Sequence, residues 1–214
     1  MNNAQMIEIA LVAFTTFFAT IGPVDVAAVF AALTHRNTPP QRRTLALKGV
    51  LIATAILLMF AVFGEAALAR LGISLAAMRM AGGILLLLIA IDMVFARQSG
   101  GNSTTEGETA EAKNKQDISV FPLATPLIAG PGSMGAVVLL SAESAGDFLH
   151  WAITVGALLS VLLITLGLLL MAGQVQKVLG LTGLNVISRV VGVLLAALSV
   201  QFMFDGLAAS ALFS

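Results

Sequence analysis

The sequence predicts an all-α polytopic membrane protein: six transmembrane helices arranged as two inverted three-helix repeats, with helices 1 and 4 broken. Three observations predict it. Of the 214 residues, 58% are hydrophobic and only 10% charged, and the mean hydropathy is +1.00. A soluble domain carries about 25% charged residues, so too few polar groups remain here to coat a water-facing surface. Six apolar segments are each long enough to cross a hydrocarbon core, which takes about 20 helical residues. Four of the six prolines fall in two of those segments, each the first of its half: Pro23, and then Pro122, Pro126 and Pro131.

The elements follow in order. MNNAQMIEIALVAF has no Lys or Arg ahead of its apolar run, and the run outlasts a signal peptide, so 6–34 reads as the first span. Spans 2 and 3 are placed at 45–70 and 73–95. Runs such as ILLLLIAI lack the period-two alternation of barrel strands and fit only helix. After them ARQSGGNSTTEGETAEAKNKQDIS carries no aromatic residue and cannot bury enough surface to order itself. It makes 98–118 a flexible tether between an N-terminal repeat, 1–97, and a C-terminal repeat, 119–214. Spans 4, 5 and 6 are placed at 119–142, 149–172 and 184–209.

Basic residues set the orientation. Arg36, Arg42, Arg43, Lys48, Arg97, Lys113, Lys115, Lys177 and Arg189 fall on one side, Arg70 and Arg79 on the other, nine against two. Both termini are therefore expected outside and the basic loops in the cytoplasm. Three spans per half is odd, so the halves enter the membrane in opposite senses, the geometry in which inverted repeats occur.

Much chemistry is excluded. Net charge is zero, which gives no field for nucleic acid. With no cysteine there are no disulfides or thiol chemistry. His35 and His150 are expected in separate loops, which does not make a metal site. No GxxxxGK[ST] motif is present, and one intramembrane carboxylate without His, Cys or a metal cluster is a thin catalytic apparatus. The expectation is no enzyme, no metal and no cofactor.

The informative residues are the breaks. Gly22-Pro23-Val24-Asp25 sets over Gly130-Pro131-Gly132-Ser133. Proline removes the N–H for the helical bond and clashes with the preceding turn, and glycine lets the backbone leave helical geometry. In hydrocarbon such breaks survive where protein buries them or they line a wet cavity. Proline also suits a helix's first turn, so half-helices can restart at Pro23 and Pro131, presenting N–H groups and partial positive charge. Two such ends meeting near the midplane would hold a small anion or carboxylate. Alternatively the prolines only kink helices for packing.

Asp25 is the ionisable residue deepest in a span. An Asp at a helix centre costs about 2.5–3.5 kcal/mol on insertion scales. It either sits in the first turn of the restarted helix, held by its dipole, or binds a substrate ammonium or a coupling proton. Ala27, Ala28, Ala31 and Ala32, with Gly132, Gly135 and Ala136, permit close helix approach. Asp92, Arg97, Arg189, Glu65, Arg79 and Asp205 lie near span ends and read as anchors. Gln201 reads as an interhelical hydrogen-bonder.

On PLATPLIAGPGSM at 122–134, MRMAGGILLLLIAIDM at 78–93 and NVISRVVGVLLAALSVQFMFDG at 185–206, nearly the whole chain resembles the MarC family of bacterial inner-membrane proteins, also grouped as UPF0056 and as the neutral amino acid transporter family. The first motif departs from the family's usual Asn-Pro pattern. Gly22 stands for the Asn, Asp25 for a Gly and Ala28 for a second Pro, while Pro23 and Phe30 are kept. The resemblance implies six spans, a bacterial inner-membrane location, and small neutral amino acid transport in at least some members.

The functional expectation is a secondary transporter, by alternating access, for a small polar solute such as glycine or alanine. Gly22, Pro23, Asp25, Gly130, Pro131, Gly132 and Ser133 would form its site, with Asp25 also in the coupling role. Alternatives are a transporter of a phosphate-bearing lipid or exported metabolite, and a non-transporting accessory protein. Expected partners are the small-molecule substrate and membrane lipids, with homo-oligomers left open.

Overall fold

The computed structural model describes residues 2–34, 37–95, 117–144 and 146–210. All but the last two residues of the expected tether lie outside these, as do His35, Arg36, Arg97, Lys113 and Lys115. Among the described residues all regular structure is helical.

Local chemistry explains where the helices begin. α1, Asn3–Ile21, starts with a capping box in which Asn2 Oδ1 accepts from Gln5 N–H at 2.8 Å and Gln5 Oε1 accepts from Asn2 N–H at 3.0 Å. α2 spans Pro23–Leu33, and α3 spans Pro39–Arg70 behind a Thr38 N–H bonded to Gln41 Oε1. α4, Leu75–Val94, is capped by Ser74. α5, Ser119–Ile128, is a wide, π-type run, and α6 spans Pro131–Glu143. α7, Phe148–Leu170, is capped by Asp147, and α8 spans Ala172–Ala208.

Among the described residues, five helical stretches have the length and apolarity to cross a membrane: Asn3–Ala31, Pro39–Gly64, Ala76–Val94, Phe148–Leu170 and Arg189–Ala208. A sixth arises if α5 and α6, bent by 56° across their junction, count as one span. Three sequence expectations need correction. α3 begins at Pro39 rather than 45, because proline is tolerated in a first turn. The connection expected before span 6 is instead helical from Ala172, with only Met171 between α7 and α8. Gln, Lys and Leu there favour helix, and Gly180 and Gly183 cost only about 1 kcal/mol each. His150 lies in the first turn of α7, not in a loop.

Packing turns on small residues. α4 and α8 run antiparallel along a close seam: Gly206 lies against Ala76 and Met80, Gly83 against Ser199 and Met203, and Gly192 against Ala90 and Met93. With lipid as apolar as leucine, such backbone approach is what holds membrane helices together. On α3, Gly49 receives Leu123 of α5 and Gly64 receives Val138 of α6. α1 and α2 pack on α7 and α8, α3 packs on α5, α6 and α7, and α4 also meets α6. The two interrupted segments touch as well, α1 against α6 and α2 against α5. Leu51, Phe63, Leu163, Val193 and Phe204 stay exposed, an outer surface suited to hydrocarbon.

Two ion pairs tie the N-terminal elements to the C-terminal ones. Arg79 Nε donates to Glu143 Oε1 at 2.8 Å, both side chains about one-fifth exposed. Lys48 Nζ lies 3.5 Å from Asp117 Oδ2 in the open. Asp117 accepts from the Ser119 hydroxyl and N–H, and these bonds, ahead of the lysine, hold its carboxyl below the usual range. Gln201 donates to Asp205 Oδ1 at 2.8 Å on its own helix, so it is not the interhelical bridge expected.

Candidate functional site

At the first interruption Gly22 adopts φ 60°, ψ 59°, left-handed geometry that glycine takes without a Cβ penalty. Its N–H closes α1 on Phe18 O at 3.0 Å, and its carbonyl opens α2 by accepting from Val26 N–H at 2.9 Å. Pro23 occupies the first position of α2, where its missing N–H costs no bond. Asp25 follows in that first turn, with its carboxylate folded back over Gly22. Its Oδ2 lies 3.5 Å from where a Gly22 Cβ would stand. A negative group at this end of α2 complements the helix dipole.

The second interruption is built differently. Phe121 (φ −130°, ψ 126°) and Thr125 (φ −133°, ψ 128°) leave helical geometry. Each precedes a proline, and the proline ring pushes the residue before it out of the α region. Gly130 is extended, at φ −89° and ψ 173°, and Pro131 opens α6. Irregular backbone leaves carbonyls to satisfy, and Ser133 serves two of them. Its hydroxyl, fully buried, lies 2.8 Å from Ile128 O and 3.0 Å from Gly130 O. Gly130 and Gly132 are buried too, whereas Pro131 is exposed.

A cavity of about 10 Å³ sits at the first interruption, lined by Phe18, Gly22, Pro23, Val24, Asp25, Met93 and Val191. That is the room for one water molecule. It gathers Gly22, Pro23 and Asp25 against the end of α4 and against α8. Gly130, Pro131, Gly132 and Ser133 are not among its walls. Sequence reasoning missed Met93 and Val191, since both look like ordinary apolar filler. Among the close-packing residues, Ala27, Ala31 and Ala136 are buried as expected. Gly135 is not in a tight contact, because a Cβ built on it would meet nothing within 4 Å. No group of three or more His, Cys, Asp or Glu able to hold a metal occurs among the described residues.

A larger groove of about 490 Å³ runs between α1 and α7, lined by Ile7, Ala10, Leu11, Phe14, Ile153, Gly156, Ala157 and Ser160. Phe14 and Phe18 stack with centroids 6.0 Å apart, one lining the groove and the other the cavity.

Comparison with known proteins places these features in context. Residues 7–211 match the model of the MarC family of integral membrane proteins. A UPF0056 membrane protein of Methanocaldococcus jannaschii is 40% identical over 92% of this chain and 95% of its own length. The UPF0056 membrane protein YvbG of Bacillus subtilis is 34% identical over 91% and 92%. YhcE of Escherichia coli is 32% identical over 91% and 89%. No solved structure matches.

Proposed function

The chain belongs to the MarC family of integral membrane proteins, and from that premise we propose that it is a secondary transporter for a small polar solute. The cargo is a neutral amino acid of the size of glycine or alanine, and the mechanism is alternating access of two inverted three-helix halves. In a bacterial host the membrane is the inner one, with both termini on the outer side.

The observation that carries this reading is the exchange of contacts between the halves. The first interrupted segment, α1 with α2, packs on α7, and the second, α5 with α6, packs on α3. Swapping first, second and third spans between the halves turns one contact into the other. The same swap maps the α4–α8 seam onto itself. Such an arrangement is expected of two halves related by an axis in the membrane plane.

Substrate would enter at the Gly22-Pro23 interruption, where the restarted α2 offers its positive end to a carboxylate. Asp25 in the same wall would meet an ammonium or carry a coupling proton. The second interruption contributes by letting α5 and α6 bend. A water-sized cavity means that this state is closed around the site, which must widen to admit an amino acid. Among the described residues no Arg or Lys lines either cavity, which disfavours phosphate-bearing cargo.

A second reading has its own support: no wall of the cavity comes from Gly130–Ser133, as a non-transporting accessory protein with independently packed breaks would have it. Uptake and counterflow of labelled glycine and alanine in proteoliposomes, with and without a pH gradient, separate the two. Flux above protein-free vesicles supports the transporter. Its absence in both directions supports the accessory protein.

A further inference from the structure

Among the described residues, two side chains break the rule that buried polar groups find partners. Thr16 Oγ1 and Ser141 Oγ have no hydrogen-bond partner among those residues, and their own residues are 0% and 5% exposed. Thr20, Thr34, Ser133, Ser144 and Thr165, equally buried, each donate to a carbonyl of their own segment. An unpaired buried hydroxyl gives up its hydrogen bonds to water without replacing them. Valine or alanine would avoid that cost.

Both orphans point the same way. Thr16 falls on the face of α1 opposite Ile7, which is 61% exposed, because nine helical residues turn the chain by half a revolution. On α6, Leu139 approaches Gly82 of α4 and Glu143 pairs with Arg79 of α4. Ser141 lies on the opposite side of that helix. α1, α6, α3 and α7 form a ring, each packed on the next and α7 back on α1. The two hydroxyls thus face the ring interior, Ser141 near the outer end of α6 and Thr16 deeper, six residues short of Gly22.

We propose that the interior of the α1–α6–α3–α7 ring is the closed outer limb of the solute path, and that Thr16 and Ser141 line it. Its ligands are water and small hydrophilic solutes able to exchange hydrogen bonds with a hydroxyl. In the open state these ligands satisfy the two side chains, which the closed state leaves unpaired. The proposal rests on the transporter reading and places this part of the path on the face of α1 opposite Phe18 and the Gly22-Pro23 cavity.

The cysteine-free chain makes the test direct. Single-cysteine variants Thr16→Cys and Ser141→Cys, reconstituted in vesicles, are exposed to a membrane-impermeant charged thiol reagent on the side of the N-terminus. Gly146→Cys serves as the exposed-turn control and Leu163→Cys as the lipid-facing one. The expected labelling of both path positions is slower than at Gly146→Cys and at least tenfold faster than at Leu163→Cys. Labelling no faster than at Leu163→Cys, at either position, overturns the proposal.

Thr16→Val and Ser141→Ala supply a second readout that does not depend on cysteine. Path residues predict unchanged or raised thermal stability together with slower flux. Raised stability with unchanged flux would mean that the hydroxyls are packing defects, and it overturns the proposal. Labelling does not require the amino-acid cargo. A labelled path without glycine or alanine flux refutes only that cargo, whereas flux without labelling refutes only this path.

Discussion

Replacing Gly83 by alanine tests the α4–α8 seam, the contact on which both halves rest. A Cβ at Gly83 would stand 2.6 Å from Met203 Cγ, 2.7 Å from Ser199 O and 3.1 Å from Met203 N. Met203 Cγ can swing aside, but the other two atoms are backbone, so the helices themselves must separate. A gap of 0.5–1 Å forfeits about a quarter to a half of each dispersion contact it opens, and overpacking of this kind costs about 1–3 kcal/mol. Alanine also returns about 1 kcal/mol of helix propensity, which would blur a single measurement. Gly135→Ala on α6 supplies the reference, since its Cβ meets nothing within 4 Å. The propensity gain is common to both variants and cancels, leaving the overpacking cost as their difference. The assay is apparent melting in detergent, where about 2–4 °C accompanies each kcal/mol in chains of 150–250 residues. Gly135→Ala should melt at or above the parent and Gly83→Ala several degrees below Gly135→Ala. Equal melting of the two would refute the close seam.

Other perturbations have equally definite outcomes. Gly22→Ala should cost about 1 kcal/mol, because φ 60° penalises a Cβ. Gly22→Asn should cost less, since asparagine tolerates left-handed geometry, and the same melting assay separates them. Glu143→Gln should destabilise by about 1–3 kcal/mol by weakening a mostly buried, charge-assisted bond to Arg79. The larger loss expected of Glu143→Ala would rank the two. Asp117, its folded carboxyl below the usual range, contributes stability above its unfolded pKa that is lost as pH falls through the folded one. Asp117→Asn should therefore flatten the acid limb of a melting-versus-pH profile by lowering its neutral plateau, with parent and variant converging at acid pH, and the drop is small because the pair with Lys48 is exposed.

Much of this was legible in the sequence for a physical reason: apolar runs of span length have few other fates. The helix restarts at Pro23 and Pro131 were legible too, because proline suits only a few helical positions. The conformations around them were not. Gly22 turned out left-handed and Gly130 extended, although both stand before proline, since tertiary packing chooses among the conformations glycine allows. Pairings between distant segments stayed hidden. Arg79 read as an anchor because Glu143, 64 positions away, announces nothing about its height in the bundle. Met93 and Val191 joined the cavity wall for the same reason.

The most direct test of the whole account is pH-driven glycine or alanine accumulation in proteoliposomes containing the parent chain or Asp25→Asn. Accumulation by the parent, with the variant retaining exchange but losing the pH-driven component, is the predicted result. No flux by the parent in either direction would contradict it.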